Sequence, residues 1–507
     1  MVFHKKELLR FRRQYLFLPF ETDCPFQHKR FRVYNYFLYT HIDLKVTVKE
    51  SNDYILVLLG DLFDYVNTAY NNEQILNELI HHSPDALPEK LSRYCGRFVL
   101  ISSNHGQIRM INDAATSRKV FYYQNEAGLC CASQPHLLAR VLNLCFTSDT
   151  EKIAFYRSSE FKRLNNANIG NTTCYDGMYQ LRANHYLDVN RISQVRYWPN
   201  KKIVIRPLSE IASESVEMLQ GYMNAISNRY QMMLPVTAGK DSRLLLATTK
   251  NMQNRVFYYI NRRSGLNKKS YDIAIPSKLL PSLGLEYHVL EAKGEVDKDF
   301  LQIYYENNPY ATDIFLPFIY NYYLHFSEKV NLPGIFVNAA EEIWETSGKQ
   351  ITPEYLAELI HIEKYKYAVD YFKGWFDSCR ELCESYSIDP LYLLYWEERI
   401  GNWGTQVQLD KDIAQEDIIP FNSRILIETM MSVQVSEREK PDFLLNLEMI
   451  RRIWPETLQE PINPNLKQNF LIVSKNLGIM KITKAIYYST LYYLLEKLKL
   501  LRNNKIL

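Results

Sequence analysis

What this chain lacks narrows it first. Its 507 residues hold no charge-free run of about 18 apolar residues, so no membrane-spanning helix is expected. The opening stretch to Arg13 carries Lys5, Lys6, Arg10, Arg12 and Arg13 and has no apolar core of the kind a secretory signal needs. Glycine (17) and proline (20) are sparse, which excludes collagen-like and Pro/Gly-rich disordered chains. No charge of one sign dominates: 60 Lys and Arg face 57 Asp and Glu, a net +3, so no overall field recruits nucleic acid. The cysteines, Cys24, Cys95, Cys130, Cys131, Cys145, Cys174, Cys379 and Cys383, are scattered rather than set in a tight framework. Reduced thiols and a cytoplasmic location are the expectation. Internal repeats and low-complexity segments are also missing.

What is present is an ordinary globular balance, 47% hydrophobic and 23% charged, with 38 tyrosines and 24 phenylalanines. The first 200 residues read as short strands: Arg32–Tyr39, Tyr54–Leu59, Arg97–Ser102, Gln107–Asn112, Lys119–Tyr123 and Leu129–Ser133. Turns are expected at 103–106 and 125–128, and helices at Asn72–His82 and His136–Leu142. An α+β domain follows from this pattern. After Tyr197-Trp198-Pro199 the pattern changes. Ser209–Tyr230 is spaced as a helix, followed by strand Met232–Thr237, helix Ser242–Thr249, strand Val256–Ile260, helix Tyr271–Leu280, and strands Glu286–Leu290 and Gly334–Asn338. Alternating strands and helices predict a parallel sheet covered on both faces. Beyond about residue 350 the signal is helical. The basic tail 481–507 reads as a terminal helix docked on the protein, or as a membrane-surface or partner-binding helix.

The segment Leu234-Pro235-Val236-Thr237-Ala238-Gly239-Lys240-Asp241-Ser242 runs from an apolar strand through small residues into a helix. Small residues let a phosphate approach the backbone, and helix N-terminal N–H groups hold it. Thr237 and Ser242 add hydroxyls, and Asp241 is suited to Mg²⁺. The Gly-Lys-Ser/Thr order of a Walker loop is missing. A plain strand–turn–helix with Asp241 as cap is the other reading.

This segment resembles the Ser-Gly-Gly-x-Asp-Ser pyrophosphate loop of the asparagine synthetase family, with Thr237 and Ala238 in place of the first Ser and Gly. Other pieces resemble that family in the required order. Gly60-Asp61-Leu62-Phe63, Gly96-Arg97-Phe98, Asn112-Asp113, Arg118, Phe121-Tyr122-Tyr123 and Ala132-Ser133 are similar to its glutaminase domain. Glu341-Glu342-Ile343 resembles its acidic Asp-Glu-Leu segment, and Pro420-Phe421-Asn422-Ser423-Arg424 its Pro-Phe-Leu-Asp segment, with Ser423 where the Asp belongs. The resemblance spans about residues 55 to 460.

The resemblance implies two domains. Residues 1–200 would form an α+β, glutaminase-like (Ntn-type) domain, and 201–507 an α/β adenine nucleotide α-hydrolase-like (PP-loop) synthetase domain with a helical C-terminal part. Glutamine-dependent members carry a catalytic Cys directly after the initiator Met. Here the sequence reads Met1-Val2-Phe3-His4, so no glutaminase activity is expected. The implied chemistry is ATP-dependent amide formation through an acyl-adenylate, as in relatives without that Cys. ATP would contact Thr237, Ala238, Gly239, Lys240 and Ser242, with adenine against Val256, Tyr258 and Ile260. Asp241, Glu341 and Glu342 would hold Mg²⁺, and Lys440 and Arg438 would lie near the reacting phosphates. The implied partners are a small carboxylate and an amine, with a homo-oligomer or biosynthetic complex as the assembly. A catalytically inactive scaffold of the same fold is the alternative, and nucleotide or sulfur transfer a third. Glu341-Glu342 also reads as a surface acidic pair, Glu397-Glu398-Arg399 after Tyr395-Trp396 either as a lining of the active-site cleft or as a helix-surface cluster, and Cys379 and Cys383 as buried thiols. Arg262-Arg263 with Lys268-Lys269 is either a solvated loop or a patch for an anionic ligand.

Overall fold

The computed structural model describes residues 7–263, 266–292, 295–341, 344, 349–439 and 442–464. Its first half carries two six-stranded antiparallel sheets. One runs in the order Met178–Gln180, Phe121–Asn125, Gly128–Ala132, Tyr15–Leu18, Tyr36–His41, His28–Val33. The other runs Ser193–Arg196, His185–Asp188, Gln107–Asn112, Tyr94–Asn104, Tyr54–Asp64, Val46–Ser51.

Period-two alternation decides how these sheets stack. Val57, Leu59, Val99 and Ile101 meet Tyr15, Phe17 and Leu38 between the sheets. The intervening Leu56, Leu58 and Leu100 point the other way, onto Ile75, Leu76 and Leu79 of helix Asn72–Leu79. On the opposite outer face, Leu16 and Leu18 pack on Leu137 and Leu138 of helix Pro135–Leu142. The layers are therefore helix, sheet, sheet, helix.

One expected strand straddles a turn. Arg32–Tyr39 divides into His28–Val33 and Tyr36–His41, which pair antiparallel around Tyr34 at φ +55. No glycine marks that turn, so the sequence hides it.

The later sheet is parallel, in the order His288–Leu290, Val256–Asn261, Met232–Pro235, Val330–Asn331. Met232, Leu234 and Tyr258 face one cluster with Leu244 and Leu279, while Met233 and Tyr259 face Phe300, Ile303 and Ile319. Both faces are covered, as the alternating pattern predicts. The expected strand Gly334–Asn338 is not one: the strand is Val330–Asn331, and the apolar run Ile335-Phe336-Val337 is a buried turn with Phe336 at φ +77. Helices follow, among them Lys366–Tyr386, the π-helix Tyr395–Gly404, Arg424–Met431 and Leu444–Ile453. No helix of the described residues is long and apolar enough to cross a membrane.

Candidate active site

Strand Met232–Pro235 ends at the C-terminal edge of the parallel sheet, where ligands bind in open α/β folds. The chain then turns through 236–239 into helix Lys240–Thr248, with Gly239 at its N-cap. Hydroxyls hold the turn closed. Thr237 N–H donates to Ser242 Oγ at 3.1 Å, Gly239 N–H to Thr237 Oγ1 at 3.0 Å, and Ser242 Oγ to the Gly239 carbonyl at 3.1 Å. The Ala238 N–H donates to Asp272 Oδ1 at 3.1 Å, and its carbonyl accepts from Asn463 N–H at 2.9 Å.

Lys240 is buried behind this turn. Its Nζ lies 2.5 Å from Asp241 Oδ1 and 2.6 Å from Glu341 Oε1, and sits over the Phe443 ring. Burial works against the ammonium, but the two carboxylates outweigh it and hold the pKa above the ordinary lysine value. Glu341 Oε2 accepts from Asn338 Nδ2 at 2.8 Å, so both of its oxygens are engaged. Arg438 reaches the same edge, with Nη1 donating to the Ala340 carbonyl at 2.8 Å. Val256, Tyr258 and Ile260 lie on the neighbouring strand, where buried Tyr258 donates to Thr249 Oγ1 at 2.9 Å. Lys440 and Glu342 lie outside the described residues. The structure thus brings Thr237, Ala238, Gly239, Lys240, Asp241, Ser242, Glu341 and Arg438 to one sheet edge.

Mg²⁺ is usually held by one or two carboxylates together with substrate phosphate oxygens. Asp241 suits that role: its side chain is 25% exposed, and among the described residues only Oδ1 has a protein partner. Glu341 stands behind Lys240. The donor set fits a divalent cation shared between Asp241 and phosphate.

Arg97, Asp113 and Arg118 are buried where the sandwich meets the C-terminal segment. Arg97 is paired with Asp412, and Arg118 with Glu416. Asp113 Oδ1 accepts from Asn422 Nδ2 at 2.7 Å, and the same amide reaches the Gly96 carbonyl at 2.6 Å. These side chains join the sandwich to the C-terminal helices.

Sequence reading missed the role of the π-helix. Glu397 is a fully buried partner of Arg196, not a helix-surface charge. It accepts from Trp375 Nε1 at 2.9 Å and Asn184 Nδ2 at 3.1 Å. Burial pushes its carboxyl up, but the Arg196 guanidinium outweighs this and holds the pKa at about 2. Its one sequence signal was the flanking Trp396, whose ring packs on Trp198 at 4.6 Å. Cys379 and Cys383 are buried free thiols, as expected. No group of three or more His, Cys, Asp or Glu able to hold a metal occurs among the described residues. Comparison with the models of known protein families yields no match to this chain, and comparison with curated proteins yields none either.

Proposed function

We propose that this chain is an ATP-dependent amide-forming ligase of the asparagine synthetase-like type. It activates a carboxylate as an acyl-adenylate and releases AMP and pyrophosphate. The turn Thr237–Ser242 carries the reading: small residues, two hydroxyls, a buried ammonium and a half-free carboxylate meet where the central parallel strand becomes a helix. The helix–sheet–sheet–helix layering supports an Ntn-type, glutaminase-like domain over 1–200. The parallel sheet supports a PP-loop synthetase domain over 201–507.

In this reading a carboxylate oxygen of the substrate attacks the α-phosphorus of ATP, and the bond to the bridging oxygen breaks as pyrophosphate leaves. An amine then attacks the acyl carbon, AMP departs, and the amine gives up a proton to a base. Lys240 sets a fixed positive charge beside the leaving group, where preorganised charge is worth most. Glu341 and Asn338 hold Lys240 in place. Thr237 and Ser242 offer hydroxyls to phosphate oxygens, and the edge of Val256–Asn261 receives adenine. Arg438 braces the Ala340 carbonyl, next to Glu341, and Lys440 follows it in the chain. Bound at Asp241, Mg²⁺ supplies further neutralisation of phosphate charge.

One observation favours the second reading, an inactive scaffold. The N–H groups of Thr237, Ala238 and Gly239 already donate to Ser242, Asp272 and Thr237 side chains. A phosphate must displace those acceptors. ATP–pyrophosphate exchange with Mg²⁺, run against amino acids, uronic acids and small carboxylates, decides between them. Exchange that depends on one acid, and is lost in a folded Asp241→Ala variant, supports the ligase. Absence of exchange together with absence of ATP binding by calorimetry supports the scaffold.

A further inference from the structure

A cleft of about 580 Å³ lies where the antiparallel sandwich, the link 197–201 and helix Arg424–Met431 come together. No residue of the turn Thr237–Ser242 lines it, so it is separate from the candidate active site. Its volume is that of an ordinary small-molecule site. Arg424 lies in its wall and is only 5% exposed. An arginine buried this deeply is normally matched to an acid. Among the described residues, Arg424 has no carboxylate partner. Its Nη1 donates to Asn184 Oδ1 and its Nη2 to Tyr197 Oη at 2.9 Å, while the rings of Tyr197, Trp198 and Trp396 surround the guanidinium. Asn184 turns its amide nitrogen to Glu397, but that carboxylate is already held on both oxygens by Arg196.

The other charges of the cleft are matched. Arg109 Nη1 lies 2.7 Å from Asp85 Oδ1, Lys201 Nζ lies 3.4 Å from Glu428 Oε2, and Arg93 forks onto buried Asp64. Glu78 stands close enough to act on Arg93 and Tyr94. Glu89 and Lys90, the remaining acid and base, are adjacent in the chain and both exposed. Ser92, Tyr94 and Tyr186 add hydroxyls to the wall. A ligand hydroxyl can donate to a carboxylate and accept from a guanidinium or a phenol, so a wall of this kind offers it partners on every side. The rings of Tyr186 and Tyr197 already carry the guanidiniums of Arg109 and Arg424, which leaves polar groups as the main offer. The lining therefore suits a polyhydroxylated ligand. The one buried cation without an acid suits a single carboxylate, which a guanidinium can bind through two parallel hydrogen bonds. A phosphate dianion would meet Glu78, Glu89 and Glu428 as repelling neighbours.

We propose that this cleft binds a sugar acid, a polyhydroxylated monocarboxylate, with its carboxylate on Arg424 and its hydroxyls among Glu78, Ser92, Tyr94 and Arg109. The proposal stands without the ligase reading. The test is calorimetry on the full chain with D-gluconate, D-glucuronate and D-galacturonate, beside D-glucose (no carboxylate), butyrate (no hydroxyls) and D-glucose 6-phosphate (a dianion). At least one sugar acid is expected to bind, with the three controls at least about tenfold weaker. Ser92→Trp, which fills the cleft from its wall, and Arg424→Gln should each weaken that binding at least about tenfold. Should Arg424→Gln fail to fold, Ser92→Trp and the ligand series on the parent chain decide. Should both fail, the ligand series decides alone. No binding of any of the three acids overturns the proposal. So does binding of glucose, butyrate or glucose 6-phosphate as tight as that of the best sugar acid, or sugar-acid binding undiminished in a folded Ser92→Trp chain. Pyrophosphate exchange and ATP calorimetry on the same preparation keep the two ideas apart. Exchange without sugar-acid binding sinks the cleft and keeps the ligase; sugar-acid binding with neither exchange nor ATP binding does the reverse.

Discussion

Arg97 and Asp412 meet in a two-pronged ion pair, Nη1 to Oδ1 at 2.6 Å and Nη2 to Oδ2 at 2.9 Å, with both side chains 2% exposed. One comes from the antiparallel sandwich, the other from the loop after helix Thr405–Lys411. Gln14 Nε2 adds a bond to Asp412 Oδ2 at 3.0 Å, and Arg13 Nη1 reaches the Asp412 carbonyl at 2.6 Å. Buried charge therefore joins the halves alongside an apolar cluster in which Phe63, Ala115 and Trp198 meet Tyr222, Phe336 and Trp396.

Removing one partner of such a pair strands the other in a low-dielectric interior. Arg97→Met is expected to destabilise the chain by about 3–5 kcal/mol. The double variant Arg97→Met with Asp412→Leu should recover much of that loss, because two apolar groups replace the pair. Urea midpoints of the parent, both single variants and the double variant check this. A double variant no more stable than the worse single one contradicts it.

Ser423 stands where the family resemblance calls for aspartate. It is fully buried, its Oγ 2.7 Å from Tyr222 Oη and 3.2 Å from the Ser92 carbonyl. Ser423→Asp would set a carboxylate against that carbonyl with no cation bonded nearby. We expect a loss of about 2–4 kcal/mol and no gain in exchange activity, read from thermal unfolding and the exchange assay together.

The π-helix gives stability two opposed dependences on pH. Glu397 is held at about 2, below its ordinary 4.5, chiefly by Arg196 against its burial. Its stabilisation is complete above pH 4.5 and is lost as pH falls toward 2. Glu398 is raised to about 7 by burial, so the unfolded form ionises first and stability is lost as pH climbs from about 4.5 to 7. Asp410, also raised to about 7 by burial, adds to that decline. Glu398→Gln cannot ionise. Its unfolding midpoint should match the parent near pH 4.5 and exceed it at pH 8, by roughly 1–3 kcal/mol. Equal curves at both pH values would show that Glu398 titrates normally.

Much of this was legible where period and punctuation agree. Val57 and Leu59 alternate with Leu56 and Leu58, and the strand–turn–helix at 232–248 announces itself by small residues after an apolar run. The misses have a shared cause: local pattern cannot report a long-range partner. Ile335-Phe336-Val337 is as apolar as a strand, yet a left-handed Phe336 makes it a turn buried against Trp396. Glu397 looks like any helix-surface acid until Arg196, 201 positions earlier in the chain, arrives beside it. In sequence Lys240 is simply a cofactor contact of the loop; nothing there shows that its charge is shared by Asp241 and Glu341.

That sharing yields the sharpest prediction about the candidate active site. If Lys240 supplies fixed charge to the leaving pyrophosphate, Lys240→Met should abolish exchange, and it should also destabilise the chain by about 3 kcal/mol, since Glu341 is left buried without its cation. Adding Glu341→Gln removes the stranded charge. The double variant should regain most of the stability and none of the activity. Asp241→Asn should behave differently again: with a side chain a quarter exposed and a single ion pair lost, it should cost less than about 1.5 kcal/mol while exchange falls at least about a hundredfold. Denaturation and exchange measured on all three separate charge that holds the fold from charge that does chemistry. A Lys240→Met chain that exchanges normally would mean the ammonium only neutralises its two neighbours.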